Sequence, residues 1–256
     1  MTDEILFDVA DGIGHVTLNR PQARNAITFE MYDRLAQLCH SLGGRDDLRA
    51  LIISGAGDKA FAAGTDISRF RDFRTGEDAL RYERRIDEVL AALEQVPVPT
   101  IAAIRGACTG GGAAIAIACD LRIGASDMRF GFPIARTLGN CLSAASLARV
   151  VSVLGAERTR QMLFTARLID AEQALASHLL LEIAEEPLER ARSLARELGA
   201  MAPLTLRAIK EGLRRLRIDG PAAQDEDLIR LCYESADFRE GMSAFFEKRP
   251  PQWRGR

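Results

Sequence analysis

The sequence predicts an α/β fold in which strand, loop and helix alternate through most of the chain. Two apolar runs, 50–57 and 100–108, have the composition of buried strands and end in small residues. The polar span 76–95 between them has helical spacing. From Ala156 onward strand signals nearly vanish and helical segments follow one another. We therefore expect an α/β body that carries a helical C-terminal part.

The individual elements follow from local patterns. Residues 5–9 and 15–19 are β-type runs separated by Ala-Asp-Gly-Ile-Gly, which predicts a hairpin. Thr28 then precedes an amphipathic segment that stops at Gly43-Gly44, as an N-cap and a helix end would. Two further short strands are predicted after the second apolar run, beginning at Leu121 and Met128.

Composition narrows the classes of function. A chain of 256 residues that is 47% hydrophobic can bury a substantial core, and it contains no low-complexity linker. Its net charge of -2 gives no basic field for nucleic acid. Five cysteines without paired spacing predict neither a disulfide framework nor a metal site. The acidic N-terminus and the absence of a long apolar run lead us to expect a cytoplasmic protein without a membrane segment.

A run of three glycines, Gly110 to Gly112, stands where the second buried strand leads into helix formers that start at Ala113. Unpaired backbone N–H groups and the positive end of a helix dipole meet at such a point, and an oxygen with developing negative charge suits it. Neither the GxGxxG pattern nor the Gly-Lys-Ser/Thr of a phosphate loop is present. Alternatively, the glycines only allow close packing of helix on strand.

A second loop has the same character. Gly64 follows small residues after the first buried strand, and Thr65-Asp66 has the composition of a helix cap. Two such loops could each supply one N–H group to a shared oxygen.

Four segments, in order, resemble the motifs of the enoyl-CoA hydratase/isomerase (crotonase) superfamily: LNRPQARNAIT, AFAAGTDI, IAAIRGACTGGGAAIAIACDLRIGASDMRFGFP and EGMSAFFEKRPPQW. The resemblance covers about residues 6–253. It implies a crotonase-like spiral of ββα turns with a C-terminal helical trimerisation region, and trimers that often pair into hexamers. We accordingly expect an α/β core over 1–190 and a helical region over 191–256.

The resemblance also implies a lyase or isomerase that acts on an acyl-CoA thioester, as in fatty acid metabolism, with coenzyme A as part of the substrate and no separate cofactor. In the family, two backbone N–H groups bind the thioester oxygen, and the matching residues here are Thr65 and Gly111. An enolate needs donors placed in advance where its charge grows, and loss of one donor costs ~3 to 4 kcal/mol.

Matching the motifs also gives a set of residues expected near coenzyme A. Arg24 lies in the family's first loop, and Lys248 is where a C-terminal lysine often reaches a phosphate of coenzyme A. Asp66 lies near the nucleotide or acts as a plain helix cap. Arg24 and Lys248 could instead be solvated surface charges. The expected set is Arg24, Ala63, Asp66, Ile67, Gly110 and Lys248.

The chain departs from the family at both glutamates of true hydratases. The first position is Ala114, and the second is Ile134 or, in a shifted register, Ala135. One of the family's glutamates activates water and the other delivers a proton, so the acid/base pair is missing.

Other candidates lie just beyond. Ser143 is the best match to a later family site that also includes Asn140 and Cys141, and a serine needs an activating partner. Arg136 could pair with a substrate carboxylate or face outward. The histidines, His15, His40 and His178, are expected to be structural or exposed.

Three hypotheses therefore stay open. The chain could generate an enolate without the glutamate pair, for example by decarboxylating a malonyl-type thioester that Arg136 orients. It could be a hydratase or isomerase that uses unidentified residues, with water held by Asn140 or Ser143. It could also bind acyl-CoA without catalysis.

Overall fold

The computed structural model describes residues 3–256, so the first two residues of the expected 1–190 core lie outside it. Its strands are β1 (Ile5–Ala10), β2 (Ile13–Leu18), β3 (Ala50–Gly55), β4 (Ala60–Ala62), β5 (Thr100–Ile104), β6 (Ala107–Thr109), β7 (Leu121–Gly124), β8 (Arg129–Gly131), β9 (Ile169–Asp170) and β10 (Glu182–Ile183). Its helices are α1 (Phe29–Ser41), α2 (Gly76–Glu94), α3 (Gly111–Ala118), α4 (Ala144–Thr165), α5 (Ala171–Ala176), α6 (Pro187–Gly199), α7 (Pro203–Asp219), α8 (Glu226–Tyr233) and α9 (Ala236–Glu247).

The larger sheet has the strand order β1-β2-β3-β5-β7-β10, and the smaller sheet has the order β4-β6-β8-β9. β1 and β2 form the predicted antiparallel hairpin. From β2 to β10 the neighbours in the larger sheet run parallel, which requires crossover connections between them. The α2 and α3 segments lie in these crossovers, so the expected α/β class is confirmed.

The predicted start of the first helix is also confirmed. Thr28 Oγ1 accepts the backbone N–H of Met31 at 3.1 Å, which satisfies one donor of the first turn of α1. Met31 and Leu35 lie on the buried face of this helix. The polar span 76–95 forms α2, and its N-terminus carries a capping box of Thr75 and Asp78.

The larger sheet buries both of its faces, and its strand β3 begins with four consecutive buried apolar residues, 50–53. Successive side chains of a strand point to opposite faces. On β3, Leu51 and Ile53 pack into the main core with α1, α2 and α3, whereas Ala50 and Ile52 pack against α6. This arrangement explains why residues 50–57 read as a continuous apolar run and not as an alternating one.

The helices after residue 186 divide into two groups. Ala191, Leu194 and Ala195 of α6 are buried on the sheet, so this part of the expected 191–256 region belongs to the packing of the sheet. The next helices, α7 and α8, have no fully buried residue. Within residues 3–256 no helix has the length and apolarity needed to cross a membrane.

The short helix α3 lies in the centre of the molecule, and every residue from Gly112 to Ala118 is buried. A Cβ at Gly112 would overlap the carbonyl oxygen of Ala62 on β4. Gly112 therefore allows close packing of helix on strand, which is the simpler interpretation of the glycine run at this one position.

A buried arginine fixes the other end of α3. Arg122 Nη1 donates to the carbonyl oxygens of Ala116 at 3.2 Å and Cys119 at 2.7 Å. Its Nε donates to the carbonyl oxygen of Leu179 at 2.7 Å. A cation at the C-terminus of a helix satisfies carbonyls that have no helical partner. Arg122 thereby ties α3 to β7 and to the segment that precedes β10.

We predict that Arg122→Met lowers the free energy of unfolding by about 2 to 4 kcal/mol, because buried carbonyl oxygens lose their donor. Urea denaturation measures the change. Arg160→Met is the matched control, since Arg160 is exposed and its one ion-pair partner among residues 3–256 is Glu157, and it should change stability by less than about 0.5 kcal/mol. Equal losses in the two variants would show that Arg122 does not hold α3.

Candidate active site

A cavity of about 380 Å³ opens where the two glycine-containing loops meet α2. Its wall includes Gly64 and Thr65 from the first loop and Gly110 and Gly111 from the second. α2 contributes Tyr82, Glu83 and Ile86, and the segment after β8 contributes Phe132, Pro133 and Ile134. The lining is mostly apolar with a few polar groups, as is common for ligand cavities.

The first loop is held by a short parallel bridge between Ile27 and Thr65. Ile27 donates its N–H to the carbonyl of Gly64 at 2.8 Å, and Asp66 donates its N–H to the carbonyl of Ile27 at 2.8 Å. In a parallel bridge the N–H of the central residue points away from its partner. The N–H of Thr65 has no acceptor within residues 3–256.

The second loop leads directly into α3. Gly110 donates its N–H to the carbonyl of Gly131 at 3.0 Å, and its own carbonyl accepts from Ala114 at 2.9 Å. Gly111 is the first residue of α3, where the N–H groups have no helical partner. In the described part of the chain its N–H has no other acceptor.

The two loops meet beside a partly buried pair of hydroxyl groups, those of Tyr32 and Thr65. A Cβ at Gly111 would overlap the hydroxyl of Tyr32 and come within 2.9 Å of Thr65 Oγ1. Only glycine therefore fits at residue 111 while Tyr32 and Thr65 keep these positions. Helical spacing places Tyr32 on the buried face of α1, but spacing alone does not show that the Tyr32 hydroxyl reaches the loop.

Thr65 Oγ1 is the centre of a chain of hydroxyl groups. It lies 2.9 Å from the hydroxyl of Tyr32 and 2.8 Å from the hydroxyl of Tyr82. Burial raises the pKa of Tyr32 and raises the pKa of Tyr82 to about 12, so both phenols stay protonated at neutral pH. The two tyrosines hold the side chain of Thr65 and with it the loop that carries the Thr65 N–H.

The cavity has apolar side chains at the two positions where the family resemblance predicts that glutamates are missing. Ala114 and Ile134 line it, and Ala114 is 7% exposed. Ala135, the alternative position, is exposed and is not part of the wall.

Glu83 of α2 places a carboxylate in the cavity wall, and no sequence pattern predicted this. Burial raises its pKa and the nearby Asp87 adds to this, while the N–H of Ser143 opposes it. The only sequence signal was its place beside Tyr82 in a helix of polar composition.

The structure brings some of the expected residues together and leaves others apart. Ala63, Thr65, Ile67, Gly110 and Gly111 all line the cavity. Arg24 is exposed next to it, and its carbonyl accepts the N–H of Ala63 at 3.0 Å. Lys248 is exposed at the end of α9 and does not line the cavity.

Asp66 accepts the N–H of Ser68 at 3.1 Å and pairs with Arg20 at 3.1 Å, so it caps the turn Ile67–Asp72. Arg136 is exposed and is not part of the wall. Ser143 caps α4 and donates to Asp87 at 2.9 Å, and it is likewise outside the wall.

His15 is buried between strands, with Nε2 2.8 Å from Ser54 Oγ, as expected of a structural histidine. The charged and nucleophilic candidates predicted from the sequence therefore lie around the cavity and not in it.

Comparison with known proteins identifies what the chain is similar to. A sequence model described as enoyl-CoA hydratase/isomerase matches residues 8–256. The short-chain-enoyl-CoA hydratase of Clostridium acetobutylicum is 30% identical over 252 residues, which is 96% of each chain.

Solved structures agree with the sequence comparison. An enoyl-CoA hydratase/carnithine racemase from Magnetospirillum magneticum superposes with a TM-score of 0.89 at 32% identity, and the match covers 99% of this chain and 96% of that one. An enoyl-CoA hydratase from Bacillus anthracis gives a TM-score of 0.87 at 28% identity and covers 99% and 100%.

We predict that Thr65→Val lowers stability by about 1 to 3 kcal/mol, because the fully buried hydroxyl of Tyr32 loses its partner. Thr65→Ser keeps the hydroxyl oxygen and should lower stability much less than Thr65→Val does. In a Tyr32→Phe background the cost of Thr65→Val should fall, since that hydroxyl is no longer there. A double-mutant cycle by thermal denaturation measures the coupling, and equal costs in both backgrounds would exclude it.

Proposed function

Because the chain belongs to the enoyl-CoA hydratase/isomerase family, we propose that it processes an acyl-CoA thioester and stabilises the enolate of that thioester. The N–H groups of Thr65 and Gly111 are the two donors. The observation that carries this proposal is that both lack an acceptor in residues 3–256, while both residues line one largely apolar cavity. Donors fixed in a dry site stabilise a growing oxyanion far better than water does, and each contributes ~3 to 4 kcal/mol.

The side chains of the cavity favour isomerisation of a 3-enoyl-CoA to a 2-enoyl-CoA. Water addition needs two carboxylates, and the two positions expected to hold them are occupied by Ala114 and Ile134. Moving a proton from one carbon to another within a single substrate requires one acid/base group and a stabilised enolate. The cavity supplies the conditions for that simpler reaction.

Decarboxylation is less favoured on electrostatic grounds. Within the described chain, no lysine, arginine or histidine lines the cavity, and Arg136 lies outside it. A substrate carboxylate entering this apolar space would lose its hydration without gaining a cation. An uncharged acyl chain would enter this space without that penalty.

Arg24 is our candidate for contact with the phosphates of coenzyme A. It is exposed, and its carbonyl accepts the N–H of Ala63 at the edge of the cavity, so residue 24 lies beside the cavity. Lys248, which directly follows α9 and does not line the cavity, is a second candidate for such a contact.

We also propose that the helical region 191–256 packs against further copies of the chain as a trimer or a pair of trimers. Support comes from large apolar side chains that α7 and α9 expose, among them Leu213 at 64%, Phe245 at 79% and Phe246 at 73%. Large apolar side chains exposed in such numbers are typical of protein contact surfaces.

The test of the reaction is a comparison of three thioesters. We expect the purified protein to convert 3-hexenoyl-CoA with a rise in conjugated thioester absorbance, at least ~100-fold faster than it hydrates crotonyl-CoA, because the second acid/base group is missing. Methylmalonyl-CoA should release no CO2. An identically purified Ala114→Phe variant, whose side chain would fill the cavity, controls for contaminating host enzymes.

Each other outcome has a defined meaning. Rapid hydration of crotonyl-CoA would mean that Ala114 and Ile134 do not limit the chemistry. CO2 release from methylmalonyl-CoA would show that the reaction is decarboxylation and not isomerisation. Calorimetric binding without turnover of any thioester would make the protein a non-catalytic acyl-CoA binder, and the absence of binding would refute the substrate class.

A further inference from the structure

We propose that Glu83 is the catalytic acid/base, the group that removes a proton from the carbon next to the thioester carbonyl and returns it. This inference rests on the proposed function, since it needs an acyl-CoA thioester in the cavity. Of the lining residues that the structure describes, Glu83 carries the only carboxylate. The positions of the family's glutamates, Ala114 and Ile134, face the same space and have no charge.

The face of α2 that carries Glu83 is held against the oxyanion loop. Tyr82, Glu83 and Ile86 all line the cavity, and their spacing places them together on one side of the helix. The hydroxyl of Tyr82 contacts Thr65 Oγ1 at 2.8 Å. Glu83 is therefore one residue away from the group that anchors the Thr65 loop, on a rigid helix and not on a mobile loop.

The neighbouring acid on α2 is already engaged in structural contacts. Asp87 pairs with Arg149 at 3.1 Å and accepts the hydroxyl groups of Ser143 at 2.9 Å and Ser146 at 3.2 Å. Glu83, by contrast, has no side-chain donor or ion-pair partner among residues 3–256. A half-buried carboxylate whose charge is offset by one backbone N–H, that of Ser143, and by no cation among residues 3–256 is costly to keep, and such groups cluster at functional sites.

The surroundings of Glu83 suit proton transfer. Burial and the charge of Asp87 raise its pKa, while the N–H of Ser143 opposes them. Glu83 in turn raises the pKa of Tyr32 and of Tyr82, and both phenols stay neutral across the range in which a glutamate titrates. A carboxylate with a raised pKa is a stronger base than a solvated one and a usable acid once protonated.

The step balances without any further reactant. The Glu83 carboxylate takes the α-proton, the C–H bond breaks, and its electron pair places negative charge on the thioester oxygen between the N–H groups of Thr65 and Gly111. The Glu83 carboxylic acid then returns the proton. Return to the γ-carbon of a 3-enoyl thioester gives the conjugated 2-enoyl product, and return to the α-carbon of a saturated thioester gives simple exchange.

The experiment follows that exchange with butyryl-CoA in D2O, by the mass gain at the α-carbon. Glu83→Gln keeps the shape of the side chain and removes the base, so we expect exchange to fall by at least ~100-fold. Glu88→Gln is the matched control, because Glu88 lies on the same helix and is exposed. Its exchange rate should stay within about twofold of the unmodified protein.

Calorimetry with butyryl-CoA separates chemistry from binding, and the dissociation constant should change by less than about threefold in both variants. The exchange rate of the unmodified protein should fall as pH is lowered through the raised pKa of Glu83, because only the carboxylate accepts the proton. Glu83→Asp should restore part of the exchange that Glu83→Gln loses.

The outcomes distinguish this inference from the function it rests on. If the unmodified protein does not bind butyryl-CoA, the proposed function fails and the role of Glu83 fails with it. If it binds but Glu83→Gln exchanges as fast as the unmodified protein, Glu83 is not the base while the proposed function stands. Binding without any exchange in the unmodified protein would likewise overturn the role of Glu83.

Discussion

The site depends on the close approach of two main-chain loops, which three hydroxyl groups fix. Thr65 Oγ1 joins the hydroxyls of Tyr32 and Tyr82, and Gly111 lies so close to them that no side chain fits there. This contact sets how far apart the N–H groups of Thr65 and Gly111 stand. Backbone donors cannot rotate or titrate, so their placement is settled by the fold before any substrate arrives.

The scaffold behind these loops is built to resist displacement. The larger sheet is covered on both faces, and α3 is apolar on all sides, so the helix has no solvent-facing side on which to shift. Gly112 brings its start against β4, and Arg122 binds carbonyl oxygens at its end. The position of Gly111 is thereby fixed from both ends of one short helix, and a fixed backbone donor is what the proposed oxyanion site requires.

The sequence predicted the parts of this structure that local patterns encode. Strand burial, helix capping and close backbone approach each require particular residue types. The sequence therefore predicted the buried strand β3, the Thr28 cap and the glycine loop before α3. The two-residue strands β9 and β10 were not predicted, since they are too short for any periodicity. The resemblance to the family's motifs added the prediction that this chain lacks the hydratase glutamates at Ala114 and Ile134.

Glu83 was hidden for a different reason. Helical periodicity separates buried positions from exposed ones, but a residue at the edge of a cavity is half-buried and its direction depends on elements far away in the chain. Tyr82 and Glu83 line the cavity only because α2 packs beside the Thr65 loop. Arg136 and Ser143 show the converse, since proximity in sequence to a family motif did not bring either into the cavity wall.

The central claim, that two backbone N–H groups polarise a bound thioester, is tested most directly by the vibration of its carbonyl. Isotope-edited infrared difference spectra of butyryl-CoA labelled with ¹³C at the carbonyl report that bond alone. Two strong hydrogen bonds weaken the C=O bond, so we predict a stretch at lower wavenumber in the complex than in free butyryl-CoA. A bound thioester whose carbonyl stretch matches that of the free ester in water, or lies above it, would contradict the account.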